Sequence, residues 1–378
     1  MSNKKRSKKR SSRRKKYIKK GGRFLGKGRH GCVYGQWKDQ FALFKISPLC
    51  FSKDYKNKGL KILDSHKNLV EEWESTQMLR ELIPSYQNWY YIPEKMCRIN
   101  KMHPEDTTVV DSVSPASECH FKINKNTALV LPIADLPGNK KISETVETLL
   151  VAFRNLFEGV YMLGKSNIIH NDLKEANVVY SIKNKKFYII DFGHMRTFQQ
   201  EGWRDASLKD ILNYHAWPFD WFFGTFLLKN IKDENVRNIR YNYTISELLS
   251  SIDNVNFHKL WELFVKRFEN SKNDSPVMRG LDVQSQTFNI WYNTISQNDL
   301  KLTLTEYISL STEKLDVWAI AKCCSAIIEK SHPNSNNLLI HKFKKLMNSF
   351  LNPSVLKRPS SIEALDLYNK FLIDNKLI

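Results

Sequence analysis

The chain has 378 residues, 42% of them hydrophobic and 26% charged, with 59 Lys+Arg against 39 Asp+Glu and a formal net charge of +20. This apolar content excludes a chain disordered throughout, and the length excludes a short disulfide scaffold. At about 150 residues per domain it allows two domains or one large two-lobed unit. The charge is concentrated: residues 1–20 (MSNKKRSKKRSSRRKKYIKK) hold 12 Lys or Arg and no acid, leaving +8 for the rest.

A segment so basic and so poor in apolar side chains cannot bury enough surface to offset the entropy of ordering it, so 1–20 is expected to be a disordered basic tail. Folding is expected from residue 21. Residues 23–25, 32–37 and 41–46 read as three consecutive antiparallel strands, separated by a glycine-rich loop and by the turn Lys38-Asp39-Gln40. Leu69, Val70, Trp73, Met78, Leu79 and Leu82 recur at near-helical spacing, which predicts a helix over 68–82, ended by Pro84. Residues 84–126 read as irregular, with a strand signal at Tyr90 and Tyr91 and a polar loop over 103–117. Residues 128–133 form a compact apolar strand before the turn Leu136-Pro137-Gly138. Val146, Leu149, Phe153, Leu156, Phe157, Val160 and Leu163 predict a helix over 143–165, with a serine cap and Glu147 near its start. The pattern beyond residue 200 is mainly helical.

The cysteines (Cys32, Cys50, Cys97, Cys119, Cys323, Cys324) are scattered without Cys-x-x-Cys pairs, which points to reduced thiols in an intracellular protein. The longest apolar stretches, 222–228 and 318–328, fall short of the roughly 20 residues of a membrane span, so a soluble protein is expected.

Between the first two strands, Leu25-Gly26-Lys27-Gly28-Arg29-His30-Gly31-Cys32-Val33 carries Gly-x-Gly-x-x-Gly-x-Val. Glycine lets backbone bend sharply and bring N–H groups against phosphate oxygens. A strand rather than a helix follows, which disfavours a dinucleotide fold. Lys45, in an otherwise apolar strand, is a point cation of the kind that α- and β-phosphates require. Farther on stand His170-Asn171-Asp172-Leu173-Lys174-Glu175-Ala176-Asn177 and Asp191-Phe192-Gly193.

Taken in order, these segments resemble the signature set of the protein-kinase family. The resemblance runs over about 22–374 and is specific at the motifs. It implies an α+β, bilobal kinase-like fold over 21–378: a small antiparallel-sheet N-lobe with one helix over about 21–133, and a larger, mainly helical C-lobe over about 134–378 with an insertion at about 221–307. It implies ATP with Mg2+, or Mn2+, as cofactors, the glycine loop 25–33 and Lys45 on the nucleotide, and Asn177 and Asp191 on the metal. Asp172 is implied as base or orienter of a substrate hydroxyl and Lys174 as the cation neutralising the transferring phosphoryl group. His170 and Phe192 read as packing residues. The helix after Lys45 is expected to supply a glutamate for it, with Glu74 the first choice over Glu71 and Glu72.

Leu315-Asp316-Val317-Trp318 resembles the start of the family's long central helix, whose aspartate braces the catalytic loop. Lys357-Arg358-Pro359 resembles its closing arginine signature. Three departures stand out. Asn171 replaces the arginine that answers a phosphorylated activation loop, which implies an enzyme active as made. Trp217-Pro218-Phe219-Asp220 stands in for Ala-Pro-Glu, and an insertion with a helical stretch over 257–268 follows. Leu43 replaces the small residue usual over adenine. This divergence resembles the kinases of large DNA viruses such as iridoviruses and poxviruses, implying a host cell's cytoplasm or nucleus, or a virion.

Lys174, two positions after Asp172, favours serine and threonine in protein substrates over tyrosine within that resemblance. A small-molecule kinase of the aminoglycoside or choline type is one alternative. A catalytically weak basic scaffold on nucleic acid is another. The tail suits nucleic acid, import machinery or acidic docking surfaces on substrates, with Ser7, Ser11 and Ser12 as self-phosphorylation targets.

Overall fold

In the computed structural model the described residues are 23–27, 31–35, 44–46, 58–63, 65–101, 127–133, 135–198, 218, 220–221, 242–247, 298–333, 335–352 and 354–378. The tail, the loop tip Gly28-Arg29-His30, the polar span 103–117 and the stretch 257–268 lie outside them. The architecture is α+β with small antiparallel sheets, in two compact units. The first comprises 1–66 and 95–130, the second 67–94 and 131–378. The second unit thus takes in 67–94, which includes the helix before residue 84.

The first unit is a six-stranded sheet of β1 (Arg23–Lys27), β2 (Gly31–Gly35), β3 (Phe44–Ile46), β4 (Lys58–Leu63), β5 (Lys95–Lys101) and β6 (Thr127–Pro132), in the order β1-β2-β4-β6-β5-β3. β1 and β2 form a hairpin with a register shift between Phe24 and Gly26. The expected three consecutive strands are corrected here. The strand beside β2 is β4, which the sequence reading had not assigned, and β3 lies at the far edge against β5. β5, with basic residues at Lys95, Arg98 and Lys101, lacks the apolar run that announces a strand, and so falls in the span read as irregular.

The second unit opens with α1 (His66–Leu82). The segment after it holds a 3-10 turn at Tyr86–Asn88 and an isolated bridge from Tyr90 to Ile189, not the strand expected at Tyr90 and Tyr91. β7 (Leu136–Pro137) leads to α2 (Val146–Lys165), whose cap is Thr145, accepting from Thr148 N at 3.2 Å, and not Ser143. The threonine oxygen satisfies an N–H that the first helical turn leaves without an internal partner.

β8 (Ile168–Ile169), β9 (Val178–Ser181), β10 (Lys186–Ile189) and β11 (Arg196–Thr197) follow, as two small antiparallel sheets, β10-β9-β7 and β11-β8. Among the described residues, the longer helices that follow are α3 (Leu304–Glu313), α4 (Leu315–Ser331), α5 (Leu338–Phe350) and α6 (Ser361–Asp374). α3 and α6 each begin with a capping box, Thr303 with Glu306 and Ser360 with Glu363.

Leu149, Phe153, Leu156, Phe157, Val160 and Leu163 of α2 are all buried in the core. Phe153 stacks on Phe187 at 5.0 Å and Phe157 on Tyr368 at 4.4 Å, and Tyr368 donates to Leu150 O at 2.7 Å. Each such aromatic buries about 150–250 Å², so α2 anchors this unit.

Arg358 is wholly buried with Asp220. Nη1 donates to Oδ2 at 3.1 Å and Nη2 to Oδ1 at 2.6 Å, while Ser311 Oγ donates to Oδ2 at 2.6 Å. Two segments that the sequence reading had matched separately, at Asp220 and at Arg358, thus meet. Cys323 and Cys324 are free and buried in α4. Cys97 on β5 is disulfide-bonded, contrary to the expected reduced thiol, because sulfur proximity depends on the fold and not on spacing along the chain. Among the described residues no helix is long and apolar enough to cross a membrane.

Candidate active site

In the second unit, the loop after β8 is held from below by Asp316, near the start of α4. Its Oδ2 accepts from His170 N at 2.6 Å and its Oδ1 from Asn171 N at 3.2 Å. Asn171 adopts φ 63°, a left-handed backbone that asparagine tolerates far better than most residues. His170 is fully buried. Its Nδ1 accepts from Asp172 N at 3.2 Å, so its proton sits on Nε2, which donates to Ile190 O at 2.9 Å. Burial also lowers its pKa, which keeps the ring neutral. The histidine is a brace, as expected.

Two of the expected catalytic residues converge on the carboxylate of the third. Lys174 Nζ donates to Asp172 Oδ1 at 2.8 Å and Oδ2 at 3.0 Å. Asn177, in a 3-10 turn at Glu175–Asn177, donates through Nδ2 to Asp172 O and to Oδ2, each at 2.8 Å. Both amide hydrogens are therefore committed to Asp172, and the carboxamide oxygen is the atom left to act as a ligand. Ile190 N donates to Asn177 O at 2.9 Å, tying this turn to the segment that leads into Asp191. Asp191 has φ 68° and ψ 69° and caps the turn Phe192–His194.

No group of three or more His, Cys, Asp or Glu among the described residues could hold a metal ion. Asn177 and Asp191 nevertheless suit Mg2+, which keeps several waters and takes one or two protein oxygens together with substrate phosphates.

Glu74 is exposed on α1, whereas Glu72 is only 3% exposed. A Cβ placed on Gly193 would lie 3.9 Å from Glu72 Cβ, 4.0 Å from its Oε2 and 3.9 Å from Asp191 Oδ1. The buried acid of the helix is thus Glu72, not Glu74. Leu69, Glu72, Thr76 and Leu79 are the buried stripe of α1, at helical spacing, and Glu74 falls off it.

In the first unit, Leu25 falls at the register shift of the glycine hairpin, Gly26 pairs with Val33, and Lys27 pairs with Cys32. Lys45 does not share its neighbourhood. It pairs with Asn100 at the far edge of the strand order, four strands from β2. The lysine beside the hairpin is Lys61, paired directly with Val33 and so on the same face of the sheet. Lys61 is half-buried between Leu60 and Ile62, which are 0% and 3% exposed. Sequence reasoning passed over it, although its strand, β4, is the last before α1 along the chain.

The site has a distinctive pH signature. Burial raises the Asp316 carboxyl from 3.8 to about 7, against the opposing pull of its two N–H donors. Its contribution to stability is fully present below pH 3.8, where the folded and unfolded states are both protonated, and is lost as pH rises towards 7. The depressed His170 acts oppositely, removing stability as pH falls below its ordinary value of 6.5. At about 1.4 kcal/mol per pKa unit, urea unfolding is expected to show the stability difference between wild type and Asp316→Asn shrinking by a few kcal/mol from pH 4 to pH 7. A difference independent of pH would contradict this assignment.

No family model matches the chain, and no curated protein matches it.

Proposed function

We propose that this chain is a serine/threonine protein kinase with a bilobal, protein-kinase-like fold, transferring the γ-phosphoryl group of ATP to a protein hydroxyl. The observation that carries the reading is the contact of Lys174 and Asn177 with the Asp172 carboxylate, beside the Asp191 turn. Phosphoryl transfer needs a carboxylate to orient and deprotonate the hydroxyl, a cation at the moving phosphoryl group and hard oxygen ligands for a metal, and little else from the protein.

Asp172 takes the hydroxyl proton. It is held in place by Asn177 and, through the loop backbone, by Asp316. Lys174 can exchange its contact with Asp172 for one with the phosphoryl oxygens, neutralising charge as it develops. Asn177 and Asp191 are the residues to hold Mg2+, which neutralises phosphate charge when bound. The glycine hairpin and Lys61 take the nucleotide phosphates, with Lys61 in the role first given to Lys45, and Glu72 replaces Glu74 as the helix glutamate of the resemblance. The kinship with kinases of large DNA viruses, and action inside a host cell, belong to this proposal.

The test separates the two lysines. Lys61→Met is expected to lower phosphate transfer by roughly 10²-fold, the scale of losing one electrostatic stabiliser, while Lys45→Met stays within about twofold. The reverse order would restore Lys45. Equal and small effects would remove both lysines from the nucleotide.

A further inference from the structure

The turn that presents Asp191 is supported by a residue outside every motif. Tyr90 is 1% exposed, and its ring meets the fully buried ring of Phe192 edge-on at 5.3 Å and 76°, while His170 packs on Phe192 at 4.7 Å. Phe192 directly follows Asp191 and is thus held by two rings. The Tyr90 hydroxyl donates to Gly159 O of α2 at 2.6 Å. Gly159 makes the approach possible: a Cβ there would lie 3.2 Å from Tyr90 Cε1, 3.3 Å from Trp89 Cβ and 3.1 Å from Ile189 Cδ1.

The backbone around Tyr90 is fastened to the strand that enters the turn. Tyr91 N donates to Ile189 O, and Ile189 N to Trp89 O, each at 3.0 Å. One buried side chain of α2 ties both segments together, since Asn155 Nδ2 donates to Asn88 O at 3.0 Å and to Phe187 O at 2.7 Å. Burial pushes the Tyr90 pKa up, so its hydroxyl stays a donor at working pH. Asp191, two residues past Ile189, holds a left-handed conformation that a non-glycine residue keeps only when its surroundings enforce it.

We propose that Tyr90 is a positioning residue: anchored by its hydroxyl to α2, it fixes the Phe192 ring and thereby keeps Asp191 in the one conformation from which it can meet a divalent cation. The consequence for phosphate transfer rests on the function proposed above. The fixing of the turn does not.

Two variants of the full chain test this. Tyr90→Phe removes the anchor and keeps the ring, so it folds even if the more disruptive Tyr90→Leu, which removes the edge contact, does not. Hydrogen exchange of the ligand-free protein is expected to quicken over residues 190–195, by on the order of threefold in Tyr90→Phe and tenfold in Tyr90→Leu, with α6 unchanged. Electron paramagnetic resonance of Mn2+ with ATP is expected to show affinity weakened several-fold in the same order, and the half-saturating Mg2+ concentration rises while kcat at saturating Mg2+ stays within about twofold. Unchanged exchange in Tyr90→Phe overturns the proposal, as does faster exchange with unaltered Mn2+ affinity. If the wild-type protein transfers no phosphate, the kinase reading fails, while exchange and Mn2+ affinity still decide the role of Tyr90.

Discussion

Asp172→Asn is expected to lower kcat for phosphate transfer by about 10²- to 10⁴-fold, the range for losing a positioned general base, with KM for ATP nearly unchanged. The variant isolates chemistry from folding because the amide keeps the shape of the carboxyl. One oxygen remains to accept from Asn177 Nδ2, now 2.8 Å from Oδ2, and the backbone bond from Asn177 Nδ2 to Asp172 O is untouched. What is lost is the negative charge that Lys174 neutralises and the ability to accept a proton. Unfolding midpoints close to those of the wild type, with transfer reduced at least a hundredfold, are the expected pair of results. A variant keeping a tenth or more of wild-type activity would show that Asp172 is not the base.

The largest expected effect on stability comes from Asp220→Ala. Arg358 is wholly buried, and its Nη1 and Nη2 are both turned to Asp220, so removing the carboxylate leaves a guanidinium with only Asn352 O, which accepts from Nε at 3.2 Å and Nη2 at 3.0 Å. Ser311 also loses its acceptor. Breaking one side of a buried ion pair costs about 3–5 kcal/mol, whereas replacing both charges with apolar groups costs far less. Urea unfolding is therefore expected to show a loss of that size in Asp220→Ala and a partial recovery in Asp220→Ala/Arg358→Met. Additive losses in the double variant would mean that the two residues are not energetically coupled.

The site residues of the second unit were legible because they are local. Asp172, Lys174 and Asn177 lie within six residues of one another, and a single loop and 3-10 turn bring their side chains together without help from distant pairing. α1 and α2 were legible from their helical period, although the cap of α2 moved from serine to Thr145. The buried acid of α1 is legible in the same period, since 69, 72, 76 and 79 share a face and Glu74 falls off it.

Strand partners were not legible. Phe44-Lys45-Ile46 and Leu60-Lys61-Ile62 carry the same alternation of apolar residues around a lysine, and nothing local states which strand pairs with β2. That choice belongs to the whole sheet, where β6 and β5 come between β4 and β3. The useful local signal was distance to the helix. β4 ends three residues before α1, while β3 ends far upstream of it. The buried pair of Asp220 and Arg358 shows the same limit, since each residue was singled out by a separate motif and only the fold joins them.

The most direct measurement is phosphoamino-acid analysis after incubating the full chain, and Asp172→Asn beside it, with γ-labelled ATP, Mg2+ and a mixture of serine- and threonine-bearing proteins and small-molecule alcohols. Label on protein phosphoserine or phosphothreonine with the wild type, absent with Asp172→Asn, is the predicted result. Label confined to small molecules, equal label from both proteins, or none from either would contradict the assignment of this chain as a protein kinase.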